Sequence, residues 1–210
     1  METTVPSEPS RRDFLYVATA AVGAFGVVAA LVPLIDQMNP DASTIAAGGP
    51  IDVDLSPIAV GQRIVVTWRS HPVQIVNRSP QILQMLQDPS LVAQLADPQS
   101  EELQQPPYAV NPHRSINPQY LVLVGICTHL GCIPLFYPQP DARQPTDDWP
   151  GGYFCPCHGS KYDLAGRVFR NVPAPYNLPV PPYRFLSDTM IRIGENPDGV
   201  KFDFGSIRQI

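Results

Sequence analysis

The sequence predicts a mainly β protein: an antiparallel β head with a small helical insertion, tethered to one N-terminal transmembrane helix. Three observations carry this. One uncharged apolar run of 22 residues lies near the N-terminus. The rest is cut into short β-rich runs by 26 prolines in 210 residues, well above the usual roughly 5%. One stretch alone, residues 79–105, changes to helical spacing.

The apolar run is Phe14 to Ile35, "FLYVATAAVGAFGVVAALVPLI". At about 1.5 Å per residue it spans the roughly 30 Å hydrocarbon core. A cleaved signal peptide has a shorter apolar region, and a buried core helix usually keeps a polar face. Arg11 and Arg12 precede the run, and the next basic residue is Arg63. The positive-inside rule then places residues 1–13 in the cytoplasm and the head across the membrane. "SRRDFL" also resembles a twin-arginine export signal, although Tyr16 stands where such signals often carry lysine. Residues 36–50 are small and polar, and read as a flexible hinge linker. The head is expected from 51 to 210.

Within the head, "RIVVTW" and "VQIV" read as a hairpin with His71 and Pro72 in its turn. Apolar positions at Ile82, Met85 and Leu86, then Leu91, Val92 and Leu95, are interrupted by Pro89 and Pro98, which predicts two short helices. "YLVLVGIC" (Tyr120 to Cys127) is continuous and apolar, as a buried strand is. "GGYF" is another short strand. "RFLSDTMIRIG" and "VKFDFG" are read as the last strands. "DDWPGG" reads as a turn. His71 and His113, each beside a proline, are expected to be surface residues rather than ligands. A net charge of -5 excludes nucleic acid as the obvious partner.

The chemistry lies in two loops, "CTHLGC" (Cys127 to Cys132) and "CPCHGS" (Cys155 to Ser160), separated by 22 residues. They hold all four cysteines and two of the four histidines. Redox dithiols use Cys-X-X-Cys, whereas the near pair here, Cys155 and Cys157, has one residue between. Zinc is chemically possible, but six candidates exceed one tetrahedral shell and the spacings are unmatched. A binuclear iron–sulfur cluster with four ligands, one cysteine per loop being left over, accommodates all six.

Together with the anchor and the export-like signal, "CTHLGC" and "CPCHGSKYD" resemble the Rieske iron–sulfur subunits of respiratory cytochrome bc complexes. The resemblance implies a Rieske-type β-sandwich head whose cluster-binding part covers about 120–180. It implies a 2Fe-2S cluster, with Cys127 and Cys155 on one iron, and His129 and His158 on the other. Cys132 and Cys157 would form a disulfide, which suits the oxidising side of a membrane. Neutral imidazoles in place of two thiolates reduce the negative charge, placing the potential at about -150 to +300 mV against about -400 mV for all-cysteine plant-type clusters.

By the same resemblance, His158 would meet quinol and take its proton. Ser160 and Tyr162 would bond cluster sulfur and Cys127. Leu130 and Gly131 would dock on the membrane cytochrome, and Gly131 and Gly159 would permit the tight loops. Pro173 and Pro175 would belong to a proline loop covering the cluster. Relatives often have glycine where Val172 stands and histidine where Lys161 stands. The implied function is electron transfer from ubiquinol to a c-type cytochrome, contributing to proton-motive force. The implied partners are b- and c-type cytochromes in a dimeric complex of the inner membrane, with the head moving on its hinge and lying in the periplasm. The alternative is a Rieske subunit of another exported oxidoreductase. A soluble Rieske ferredoxin would usually lack both the anchor and the spare cysteines.

Overall fold

The computed structural model describes residues 10–41, 44, 48–139 and 149–209. The chain divides into two compact units, Met1–Ala46 and Ala47–Ile210. The first contains helix α1 (Arg11–Asp36), which carries the whole apolar run. Ser10 caps its N-terminus, accepting from the Asp13 amide, and the Asp13 carboxylate reaches back to the Ser10 amide. None of its residues is buried, and it is long and apolar enough to cross a membrane. Much of the signal and part of the linker read from the sequence lie outside the described residues.

Among the described residues, the second unit is built from three antiparallel, three-stranded sheets. The first has the order β1 (Ile51–Asp54), β9 (Met190–Ile193), β8 (Tyr183–Ser187). The second has the order β2 (Arg63–Trp68), β3 (His71–Asn77), β4 (Tyr120–Val124). Val53, Ile191 and Ile193 of the first pack with Val73, Ile75, Val122 and Val124 of the second in one core. These two sheets form the sandwich.

The third sheet has the order β5 (Leu135–Tyr137), β6 (Gly152–Phe154), β7 (Lys161–Tyr162). Its core joins Tyr153 and Tyr162 to Val76, Leu121 and Leu123, which lie on the other face of β3 and β4. Side chains alternate across a strand, so β3 and β4 are buried on both faces. That is why "YLVLV" is apolar without alternation.

Residues 80–92 form two short helices, α2 (Pro80–Met85) and α3 (Pro89–Val92). Each begins with proline at its first position, behind a side-chain cap from Ser79 or Asp88. Ile82 and Leu86 pack on Leu164 and Ala165, while Leu91 and Leu95 pack on Trp149 and Phe169. The insertion thus backs the chain that leaves the second Cys/His loop.

Two expectations need correction. The β2–β3 turn is made by Arg69 and Ser70, both with positive φ, and His71 and Pro72 already belong to β3. "VKFDFG" forms no strand: Asp203 accepts from the Gly205 amide at 2.9 Å and starts a 3-10 turn, Phe204–Ser206. Phe204 stacks edge-on against Trp68 at 5.3 Å, so its burial comes from a side-chain contact rather than a ladder. His71 and His113 are both partly exposed, as expected, and each is held by a neighbour. The His71 ring meets Phe204, and His113 is half-buried, with its carbonyl accepting from Arg78. Of "DDWPGG", Asp147 and Asp148 lie outside the described residues, and Trp149 is buried in a core.

Candidate metal centre

The two Cys/His loops share one backbone plan. In the first, the Cys127 amide donates to the Cys132 carbonyl at 2.7 Å, and the Gly131 amide to the Cys127 carbonyl at 3.0 Å. In the second, Cys155 donates to Ser160 at 2.8 Å, and Gly159 to Cys155 at 2.9 Å. The glycines at the same place in each loop have φ of +82° and +77°. No atom lies within 4 Å of a Cβ built on either. Backbone conformation, not crowding, therefore requires glycine there.

The strands deliver these loops to one place. The first follows β4, and the second joins β6 to β7. Cys132 and Cys157 form a disulfide between them, with the Cα atoms 6.7 Å apart. Cys127 and Cys155 remain free, buried thiols. Burial, above all, pushes the Cys155 thiol up, and contact with the Cys127 sulfur adds to the shift. The rings of His129 and His158 meet edge to face at 4.7 Å. His158 is exposed and His129 half-buried, so the thiols lie inside and the imidazoles outside.

The sulfurs of Cys132, Cys155 and Cys157 lie within 4.8 Å of one another. That trio is not a ligand set, because the disulfide uses two of the three. The remaining donors are two thiols and two imidazoles, a set that fits a Rieske 2Fe-2S cluster. The Nδ1 of His129 is also buried without a hydrogen-bond partner among the described residues. Buried ring nitrogens normally find one, and a metal would supply it.

Neighbouring groups complete the pocket. The Tyr162 hydroxyl donates to the Cys127 sulfur at 3.3 Å and accepts from the Thr128 amide at 3.1 Å. Burial keeps that phenol protonated far above its usual range. Ser160, fully buried, accepts at its hydroxyl from the Ala174 amide at 3.0 Å, leaving its own proton free to donate. Ala174 is buried between exposed Pro173 and Pro175, so this bond ties the proline loop to the second Cys/His loop. The half-buried Val172 side chain packs into the core beside it.

Leu130 is 70% exposed, and Ile133 and Leu135 are 62% and 49% exposed. Sequence reasoning named Leu130 and missed the other two, although all three follow Cys127 within one short stretch. It also missed Thr128, whose hydroxyl donates to the Tyr176 carbonyl at 2.7 Å. Its position between Cys127 and His129 was the available signal.

Known proteins are similar along most of the chain. The family described as "Ubiquitinol-cytochrome C reductase Fe-S subunit TAT signal" matches residues 1–41. The family described as "Rieske [2Fe-2S] domain" matches residues 84–183. A ubiquinol-cytochrome c reductase iron-sulfur subunit of Bradyrhizobium diazoefficiens is 54% identical over 186 residues, covering 89% of this chain and 95% of the relative. One from Allochromatium vinosum is 52% identical over 188 residues, covering 89% of each. One from Blastochloris viridis is 50% identical over 194 residues, covering 92% and 98%.

Proposed function

The chain belongs to the Rieske iron–sulfur subunits of ubiquinol–cytochrome c reductase, and on that footing we propose the assignment of its residues. It is an electron-transfer subunit of an oxidoreductase complex of the cytochrome bc type, exported and anchored by α1. Cys127 and Cys155 hold the inner iron, and His129 and His158 the outer one. When bound, such a cluster takes up one electron and gives it back at high potential. The observation that supports the assignment most is the sorting of the six candidates: two joined in a disulfide, two thiols buried in contact and two imidazoles packed together.

The outer histidines are the natural door to substrate. His158 is the more exposed, so its outer ring nitrogen accepts a hydrogen bond from ubiquinol and then holds the proton. Leu130 and Gly131, with Ile133 and Leu135, offer the apolar rim that docks on the b-type cytochrome. The c-type cytochrome then takes the electron. The buried thiols, the disulfide and the proline loop keep water from the inner side.

Topology follows from charge. Arg11 and Arg12 open α1 ahead of its apolar run, and no lysine or arginine follows until Arg63. The helix thus crosses the inner membrane with its N-terminus in the cytoplasm and the head in the periplasm. There the disulfide persists, within a dimeric complex. The twin-arginine route suits a head exported after folding around its cofactor.

Iron and acid-labile sulfide analysis of the full-length protein tests the assignment. Two of each per chain are expected, lost in Cys127→Ser and His158→Gln. Zinc in the intact protein, or full iron content in either variant, contradicts it.

A further inference from the structure

Gln209 lies 80 residues from His129 in sequence, yet its side-chain amide donates to the His129 carbonyl at 3.0 Å. Gln209 is itself held at both backbone groups by one side chain. The Gln104 carboxamide donates to the Gln209 carbonyl at 2.9 Å and accepts from the Gln209 amide at 3.1 Å. The second N–H of Gln104 donates to the Asn177 carbonyl at 3.0 Å, at the end of the proline loop. Gln104 is fully buried. Its carboxamide spends two donors and one acceptor on these contacts, a pattern that neither glutamate nor methionine reproduces.

The second Cys/His loop is tied down by the bond from the Ala174 amide to Ser160. The first loop has no such serine; Cys132 occupies the matching place, and its sulfur is in the disulfide. The His129 ring has no partner at Nδ1 among the described residues. On the cluster reading Nδ1 is taken by the metal, so the protein's own hold on this part of the loop runs elsewhere: the neighbouring Thr128 hydroxyl donates to the Tyr176 carbonyl, and the His129 carbonyl accepts from Gln209.

We propose that Gln209, fixed by Gln104, is a positioning residue: a latch that holds the His129 peptide and so sets the orientation of the outer ligand in the first loop. The proposal rests on the reading of these loops as the cluster site. It also gives the end of the 79–105 insertion a task, since the Gln104 side chain joins the proline loop to Gln209, and the Gln209 side chain carries the link on to the first loop.

The test uses the full-length protein with two substitutions. Gln209→Glu keeps the shape but faces the His129 carbonyl with an acceptor; Gln209→Lys keeps an N–H donor. Amide hydrogen exchange at Cys127 and Gly131 is measured, together with the electron paramagnetic resonance line positions of the reduced protein. The latch predicts exchange about five-fold faster in Gln209→Glu, the factor expected for one lost hydrogen bond, with shifted lines. It predicts near-original values in Gln209→Lys, and unchanged exchange in the β1–β9–β8 sheet in both. Unchanged exchange and lines in Gln209→Glu overturn it. Absence of iron and sulfide from the unsubstituted protein would instead overturn the cluster reading, and the exchange comparison would still decide the latch.

Discussion

The hydroxyl of Tyr162 donates a 3.3 Å hydrogen bond to the sulfur of Cys127, joining β7 to the first residue of the first Cys/His loop. A donor to sulfur stabilises added negative charge, so it favours the reduced state. Burial keeps the phenol protonated, and the bond therefore persists at working pH. Tyr162→Phe removes only the hydroxyl. We expect the midpoint potential to fall by several tens of millivolts, on the order of 1–2 kcal/mol for one such bond, with iron content unchanged. A redox titration checks this, and an unchanged potential would show that the bond is structural only.

Ser160 accepts from the Ala174 amide, and the proposed assignment gives its own proton a second task toward cluster sulfur; the two separate experimentally. Ser160→Ala loses the donor toward the cluster and leaves the buried Ala174 amide without its acceptor. The first loss lowers the potential. The second costs about 1–3 kcal/mol of head stability, so cluster loss on heating should begin at lower temperature. Comparison with Tyr162→Phe, which leaves the proline loop tied, distinguishes the two effects.

The disulfide between Cys132 and Cys157 cross-links the loops across a separation of 25 residues. Its removal by the double change Cys132→Ser, Cys157→Ser should cost about 3 kcal/mol. Both loops then lose their tie to each other, and the cluster should dissociate faster on warming. Retention at the original temperature, measured by visible absorption, would show that strand packing alone holds the loops.

Asp163 and Arg167 form a buried ion pair at 2.7 Å directly after β7. The same carboxylate accepts from the amides of Ala165 and Arg167, and Arg167 donates to the Leu86 carbonyl at 2.7 Å. This pair fixes the turn by which the chain leaves the site after Tyr162, and braces it against the end of α2. Asp163→Asn leaves the Arg167 cation buried without its partner, which costs about 3–5 kcal/mol. Thermal denaturation should show that loss while the electron paramagnetic resonance lines of the surviving protein stay in place.

The chemistry of this protein was largely legible in its residues because ligands in loops obey short-range spacing. "CTHLGC" and "CPCHGS" carry their meaning within six residues each. The α2 and α3 helices were legible for a similar reason: Ser79-Pro80 and Asp88-Pro89 are local start signals. What escaped was set by distant contacts. Phe204 was read into a strand, yet its place is decided by Trp68 and by the cap from Asp203. Arg78 and Arg114 look like surface charges in sequence but are buried, Arg78 bonding to the carbonyls of His113 and Pro118 and Arg114 to those of Ala165 and Gly166. Burial pulls both guanidinium groups down to about 10. Gln209 has no local signal at all, since its partner His129 is 80 residues away.

The central claim is that two imidazoles make this cluster a high-potential, proton-coupled electron acceptor. Redox titration of the reduced signal in the intact membrane complex, repeated between about pH 6 and pH 10, tests it most directly. The account predicts a midpoint within about -150 to +300 mV, falling as pH rises once the outer nitrogen of a ligated histidine gives up its proton. A midpoint near -400 mV, or one flat across the whole range, would contradict it.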